Sequence, residues 1–419
     1  MASSAKTFAL PTQRQIASAL GISQATVAIA LNPRSSKRLP EETILRIRSK
    51  ADELGYRPHR SAQVMRQQRS HTVGVLFQSA AFQTHSDRIR LISQEFHRKG
   101  YHLIAADVDW FERNPETIQA YFLDAAVEGM VLSNIQVAFP PDWLQPFLQR
   151  SVKVVTMGMN SWSAQEPLED YSADMEAAFY HLTRHHLAIG SRRLVLLLRP
   201  RYREYKGELS GGAKSRIRGF VRAMREAGGS VLTDEGALPL IGMDLPGVPE
   251  GQLVFKNSGS PEGIVSIAVR EQLTGNLFEA GRQCSEELLR ALLPPDSLIC
   301  SNDHLALGAI GTCLNLGLSI PEQIRISGAD ETPFSANHVV PITSIRQPVL
   351  ELAKAASLRL VEQLDGIEAS GVPHPPRIPC EVIVRESTCN AGTAFRLADE
   401  GMFNPPPDQT RFTVSLRQR

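Results

Sequence analysis

The chain has 419 residues, 42% of them hydrophobic and 21% charged, with a formal net charge of +1. That length suits two or three domains, and the composition excludes collagen-like, fibrous and wholly disordered chains. No apolar run approaches the roughly 18 residues of a membrane span; the strongest, Leu194 to Leu198, is strand-sized. Met1 to Thr7 has no apolar core of signal-peptide length, so a cytoplasmic location and no membrane partner are expected. Five scattered cysteines (Cys284, Cys300, Cys313, Cys380, Cys389), with no Cys-x-x-Cys pair, predict buried reduced thiols and no disulfide or zinc framework.

The charge is uneven. Residues 1–70 hold twelve Lys and Arg against four Asp and Glu. That is a net of about +8, leaving about −7 on the rest. A small basic module on a larger acidic body is the electrostatic footprint of a nucleic-acid reader. The module reads as three short helices. Thr12 caps the first, Gln13 to Leu20, whose inward residues are Ile16, Ala17 and Leu20. Gly21 ends it. Ser23 caps the second, Gln24 to Leu31, with Val27 and Leu31 inward, and Asn32-Pro33 stops it. A polar loop, Arg34 to Arg38, leads to a third helix from Pro40-Glu41-Glu42 to Gly55, with Ile44, Ile47, Ala51 and Leu54 as its stripe. Two helices joined by a Gly turn and braced by a third make a helix-turn-helix, or else a plain three-helix bundle.

Ile16-Ala17, Gly21-Ile22-Ser23-Gln24-Ala25-Thr26-Val27, Ala30-Leu31-Asn32 and Glu53-Leu54-Gly55-Tyr56-Arg57-Pro58, in that order and spacing, resemble the headpiece of the lactose/galactose-repressor family of bacterial transcription regulators. The resemblance implies that Gln24 and Ala25 read bases at the start of the recognition helix. It implies that Thr26 contacts a phosphate, and that Thr12, Ser23 and Arg34 lie at the DNA. Ile29 stands where many members carry Arg. Arginine forks to guanine, whereas isoleucine either touches a thymine methyl or packs on the first helix. Pro40 replaces a common Ser cap. The stretch after Pro58, His59 to Met65, matches the family's hinge helix, with Met65 as the minor-groove wedge and Arg60 and Arg66 near phosphates. By its residues alone it reads as a polar linker.

Beyond a connector at Gln67 to Thr72, strands and helices alternate. Strands are expected at Val73 to Phe77, Tyr101 to Ala106, Gly129 to Ser133, Val152 to Met157, Leu194 to Leu198, Leu298 to Ser301 and Ile324 to Ala329. Helices are expected at Ile89 to Lys99, Pro115 to Ala126, Leu144 to Arg150, Met175 to Leu187, Lys214 to Ala227, Asp303 to Leu316 and Val349 to Leu364. Such alternation means doubly wound layers, with ligands beyond the carboxyl ends of strands. Cys300 to Gly308, Ile326 to Glu331 and Ile342 to Gln347 resemble the periplasmic-binding-protein-like effector domain of the same family.

The expected fold class is therefore α/β: an N-terminal helix-turn-helix three-helix headpiece plus a two-lobed periplasmic-binding-protein-like doubly wound effector domain. The expected divisions are the headpiece at residues 1–58, hinge helix and linker at 59–71, the effector-binding and dimerisation domain at 72–390, and an extension at 391–419. The resemblance implies effector contacts at Arg216, Asn302 and Asp330, with Gln78 and Ser79 weaker; Asp303 reads better as a helix cap than as a ligand contact. The implied protein is a homodimer on a palindromic operator, controlled by a small molecule such as a sugar, and a repressor by family default. Loops at Arg199 to Gly212 and Leu238 to Gly263 depart from the family pattern, so the effector's identity does not carry over.

Two other readings lack parts. A transport solute-binding protein would need no basic headpiece. An enzyme would need a nucleotide or catalytic motif, and no Gly-x-Gly-x-x-Gly, phosphate loop, His-Glu-x-x-His or Gly-x-Ser-x-Gly occurs. No cofactor, metal or catalytic residue is expected. His181 and His185, four apart with His186 beside them, read as a surface or half-buried helix face rather than metal ligands.

Overall fold

The computed structural model describes residues 11–31, 39–56, 69–78, 83–133, 135, 139–140, 142–158, 168–198, 211–227, 230–232, 264–269, 276–290, 294–367, 377–389 and 395–397. Among these, α1 (Gln13–Leu20), α2 (Gln24–Leu31) and α3 (Glu41–Glu53) form the first of two units, Met1–Ser70. Thr12 and Gln15 make a capping box at α1: Gln15 accepts the Thr12 N–H at 2.7 Å, and Thr12 Oγ1 accepts the Gln15 N–H. Gly21 follows at φ +64, a left-handed conformation that glycine adopts without a Cβ penalty. Pro40 is the residue before α3 rather than within its first turn, and Glu41 and Glu42 supply the acidic start. Ile16, Val27, Ala30 and Ile47 are fully buried and, with Ala17, Ala51 and Tyr56, form one small core.

The second unit, His71–Arg419, contains two sheets. The first runs β2-β1-β3-β4-β5 and is parallel throughout: β1 (Thr72–Phe77), β2 (His102–Asp107), β3 (Gly129–Ser133), β4 (Lys153–Met157) and β5 (Asp170–Tyr171). Its helices are α4 (Gln83–Arg98), α5 (Pro115–Asp124) and α6 (Gln145–Gln149). Continuous apolar strands such as Val73 to Phe77 are buried on both faces, as parallel strands between helical layers require. Ile118, Phe122 and Phe147 pack against one face, and Ile92 and Phe96 belong to the cluster on the other.

The second sheet runs β13-β12-β11-β10-β9-β6-β8-β7. Its strands are β6 (Leu194–Leu198), β7 (Ser230–Leu232), β8 (Ile264–Val269), β9 (Ser297–Cys300), β10 (Arg325–Ala329), β11 (Thr343–Arg346), β12 (Glu381–Val384) and β13 (Phe395–Leu397). Its helices are α7 (Met175–Ala188), α8 (Gly211–Glu226), α9 (Leu277–Leu289), α10 (Asp303–Asn315) and α11 (Pro333–Asn337). Strands β7 to β11 pair in parallel, while β12 and β13 close one edge antiparallel. The piece beyond residue 390, expected to be an extension, thus contributes an edge strand, with Val382 opposite Leu397.

The last long helix, α12 (Val349–Leu364), leaves β11 of the second sheet and packs on the first sheet beside α4; Leu352, Ala356 and Leu360 are fully buried. The chain therefore crosses between lobes at β5 to α7, at β11 to α12, and again before β12. Two crossovers are tied by backbone: Asp174 N–H donates to Ile378 O at 2.8 Å, and Ile378 N–H to Ser172 O at 2.9 Å.

Several elements differ from the sequence expectation. Helix α4 starts six residues earlier than expected, because Gln83 to Arg88 is polar and shows no periodic stripe. Helix α9 and strands β5, β7, β8, β11, β12 and β13 were not expected. The strands are short, at two to six residues, and β7 and β8 flank the Pro- and Gly-rich stretch at 238–263, whereas α9 is a 13-residue helix that the sequence reading passed over. His185 and His186 are buried, not on the surface. His185 Nε2 bonds Thr388 Oγ1 at 2.9 Å, and His186 Nε2 bonds Ser327 Oγ at 2.8 Å. The pair stitches α7 to the second sheet; burial, and next the charge of Arg325, lowers His185 to about 4, while burial pushes His186 well below its ordinary range. Cys284, Cys300 and Cys313 are buried thiols and Cys380 and Cys389 half-buried; burial drives Cys300 far up and Cys313 to about 12, which leaves them unreactive.

Candidate functional site

Two sites emerge, one in each unit. In the first, Ser23 Oγ accepts the Thr26 N–H at 3.0 Å and shares a 2.8 Å hydrogen bond with the Thr26 hydroxyl. This cap starts α2 and leaves Ser23, Gln24 and Ala25 exposed at its N-terminus, where partial positive charge and free N–H groups favour phosphate and base edges. Thr12 is exposed and spends its side chain on the α1 cap. Thr26 is half-buried with its hydroxyl on Ser23. Ile29 is half-buried and outside the headpiece's apolar cluster. Arg34, Arg60 and Met65 lie outside the described residues, as does Ser79. Ser23→Ala should lower headpiece stability by about 1 kcal/mol, the usual worth of a cap. Thermal unfolding followed by α-helical circular dichroism would read it, and an unchanged headpiece transition would mean that the cap does not stabilise α2.

The second site lies at the carboxyl ends of the second sheet's parallel strands. Strands β9, β10 and β11 are neighbours, so Asn302, Asp330 and Gln347 follow three adjacent strands at the same edge. Asn302, not Asp303, is the N-cap of α10: its Oδ1 accepts the Leu305 N–H at 3.0 Å. Its amide nitrogen is buried and has no hydrogen-bond partner among the described residues. Asp303 sits just inside the helix and is fully buried. Its Oδ2 accepts Thr332 N–H at 2.7 Å and Thr332 Oγ1 at 3.0 Å, and its Oδ1 accepts Ser344 Oγ at 2.6 Å. Burial, reinforced by the charge of Asp330, raises Asp303 to about 8, so it is largely protonated at neutral pH. Asp303 thus ties the start of α10 to the loop after β10 and to Ser344 within β11.

Asp330 and Glu331 both take positive φ, +105 and +49. This is a costly backbone for such residues and persists only where the surroundings over-determine it. Here Arg385 grips the Glu331 carboxylate through both Nη atoms, and Ser344 Oγ accepts the Glu331 N–H at 3.1 Å. The turn is thereby held, and the Asp330 Oδ1 accepts Gln347 Nε2 at 2.6 Å. Gln347 Oε1 in turn accepts Arg88 Nη2 at 2.6 Å. Arg88 comes from α4 on the first sheet, so this relay joins the two lobes.

Arg216 stands in the second turn of α8. Its Nη1 donates to Gly212 O at 2.8 Å, and its guanidinium lies 5.5 Å from the Phe179 ring centroid. Gln78 is half-buried just past β1. Trp110, 63% exposed after β2, packs edge-on to Phe77, the residue before Gln78, at 5.7 Å.

Sequence reasoning passed over Arg88, Gln347 and Trp110. Gln347 stood inside a quoted motif without a role. Arg88 resembled its charged neighbours, yet it lies four residues before Ile92 and eight before Phe96, on their buried stripe. A charge in line with an apolar stripe was the available signal. Among the described residues no group of His, Cys, Asp and Glu fits a metal ion, and no helix is long and apolar enough to cross a membrane.

Comparison with known proteins bears on both sites. The periplasmic binding protein-like domain family matches residues 257–388. The chain is 24% identical over 378 residues to the HTH-type transcriptional repressor CytR of Escherichia coli (strain K12), spanning 90% of this chain and 96% of the relative. It is 25% identical over 386 residues to the HTH-type transcriptional repressor PurR of Haemophilus influenzae (strain PittEE), spanning 90% and 98%. In fold it is similar to the lac repressor dimer bound to operator and the anti-inducer ONPF, with a TM-score of 0.67 at 18% identity over 91% of this chain and 99% of that one. With relatives of this kind spanning both units, the enzyme reading falls away. A capped helix-turn-helix followed by two doubly wound lobes, with repressors as relatives along nine-tenths of its length, supports the resemblance to the lactose/galactose-repressor family of bacterial transcription regulators.

Proposed function

We propose that this chain is a cytoplasmic transcriptional repressor that binds a palindromic operator as a homodimer and is controlled by a small-molecule effector held between its lobes. The observation that carries the reading is the exposed N-terminus of α2, Ser23 to Ala25, capped and set on a closed apolar core. In that setting Gln24 is free to fork to an adenine and Ala25 to meet a thymine methyl. Residues 1–58 form the reading head, 59–71 the hinge helix and linker, and Arg34, Arg60 and Met65 add contacts to phosphate and minor groove. A homodimer would match the two-fold symmetry of the two half-sites. The effector is held by Asn302, Asp330 and Arg216, with Gln78 nearby and with Arg88 and Gln347 added by the relay. Because the relay joins the lobes, a ligand there favours one lobe arrangement, a coupling of about 1–3 kcal/mol between effector and operator.

Selection of duplexes from a random pool by the full-length protein, at stated salt, tests this. A palindromic consensus is expected, with binding that weakens steeply as salt rises. Gln24→Ala should relax preference at one position of each half-site by about 1–3 kcal/mol. Recovery of no consensus sequence would overturn the operator reading.

A further inference from the structure

Helix α10 has no charged outer face. A helix that lies over a sheet buries one stripe and shows charged residues on the other, whereas a helix that is apolar all round is covered on every side. Along α10 the residues that are not buried are His304, Leu307, Gly311, Leu314 and Asn315. The first four recur at intervals of three, four and three, the spacing of a seam that meets another helix. Phe278, exposed at the start of α9, stands over Gly311, its ring tip 3.9 Å from where a Cβ would lie. The segment 332–345 passes the start of α10, where Thr332 bonds Asp303, and exposes Phe334 (59%) and Val339 (83%). Neither 304–321 nor 332–345 contains a Lys, Arg, Asp or Glu, in a chain that is 21% charged. Burial, only partly opposed by Asp330, holds His304 below its ordinary range, so it too is uncharged near neutral pH. Exposed apolar surface depleted of charge has the composition of an interface core. Its flank on α9 carries Glu279 and Glu286 with Arg282 and Arg290, which bridge one another. These acids and bases cancel, so the flank does not repel a copy of itself, and an acidic or basic partner finds no opposite charge to grip. A neutral seam of this kind is self-complementary about a two-fold axis.

We propose that this face, Phe278 with Leu307, Leu314, Phe334 and Val339, is where a second copy of the chain docks, α10 packing against the same helix of its partner about a two-fold axis. This rests on the homodimer reading above and assigns its surface. It also puts the candidate effector site on the interface helix, because Asn302 caps α10. A shift at that cap moves the seam, which gives an effector a route to the second subunit.

The test is sedimentation equilibrium of the full-length protein over a wide concentration range. The wild type is expected to dimerise. Leu314→Glu should raise the dimer dissociation constant about 100-fold or more, because it buries an unpaired charge from each copy. Val339→Glu should raise it about 10-fold. Leu358→Glu, at a residue 50% exposed on α12, is the control and should leave it unchanged. Far-UV circular dichroism checks that each variant folds; should Leu314→Glu not fold, Val339→Glu, in an exposed loop, carries the test. Variants that fold and still associate as tightly as the wild type, or an equal loss in Leu358→Glu, overturn the proposal and leave the homodimer reading intact. A wild-type protein that stays monomeric throughout overturns both.

Discussion

Gly308→Ala is expected to lower the stability of the two-lobed body by about 3 kcal/mol, whereas Gly311→Ala, one turn on in the same helix, should raise it by about 0.5–1 kcal/mol. The difference is positional. A Cβ on Gly308 would lie 2.1 Å from the Phe278 carbonyl oxygen and 2.7 Å from the Arg282 nitrogen, both backbone atoms of α9. One on Gly311 meets only the tip of Phe278, at 3.9 Å. Gly281 makes the reciprocal approach, its Cβ position falling 2.2 Å from the Leu305 carbonyl oxygen. The two helices therefore touch backbone to backbone, and an added methyl group must push them apart. That shift would also move Asn302 and Asp303, which start α10. All three tryptophans, Trp110, Trp143 and Trp162, belong to the body, so denaturant unfolding followed by tryptophan fluorescence reports it without the headpiece. Equal stability of the two variants would contradict the close approach.

Wild-type body stability should fall as pH rises from 6.5 toward 8, at up to about 1.4 kcal/mol per pH unit, and Asp303→Asn should abolish that fall. The folded Asp303 holds its proton up to about 8, while an unfolded aspartate releases it near 3.8. Between those values the native state binds more protons than the unfolded state, so raising the pH favours unfolding. His185 has the opposite sign. Unfolded, it takes a proton below 6.5, but folded only near 4, so stability is lost as pH falls through that window. Asp303 offsets part of this acid loss in the wild type. Asp303→Asn should therefore be flat above pH 6.5 and steeper than wild type below it. Asparagine keeps an acceptor for Thr332 and offers Ser344 a donor, so the fold survives. Asp303→Ala, in contrast, strands the Thr332 N–H and two hydroxyls and should be strongly destabilising. Urea midpoints from pH 4 to pH 8 check all three statements.

Much of the first unit was legible because its signals are local. Thr12, Gly21 and Ser23 act within one turn of themselves, and α1 and α2 begin and end where those residues predict. In the body, the strands with continuous apolar runs were legible for the same reason, and so was Val349–Leu364, a long helix with a regular stripe. What escaped depends on partners far away in the chain. Strands β12 and β13 are short and take their identity from pairing with β11 at the sheet edge. His185 and His186 looked like a polar helix face; hydrogen bonds to Thr388, Ser327 and Ser297 make them interior.

The candidate effector site divides in the same way. Asn302, Asp330 and Arg216 are candidates that the sequence offers through short motifs resembling a family pattern. Their environment was not readable, since the roles of Asn302 and Asp303 as cap and buried acid depend on Thr332 and Ser344, some thirty to forty residues on. By itself the sequence determined the class of module at the N-terminus, the strand–helix alternation of the body, and those strands and helices whose apolar runs or stripes are regular. Those follow from periodicity, capping and charge, which act over a few residues. Only the tertiary structure decided that Arg88 of one lobe reaches Gln347 and Asp330 of the other, that Asp303 holds its proton, and that the strained turn at Asp330 is held by Arg385. Those depend on burial and on contacts between elements distant in sequence, and both arise only when the layers pack.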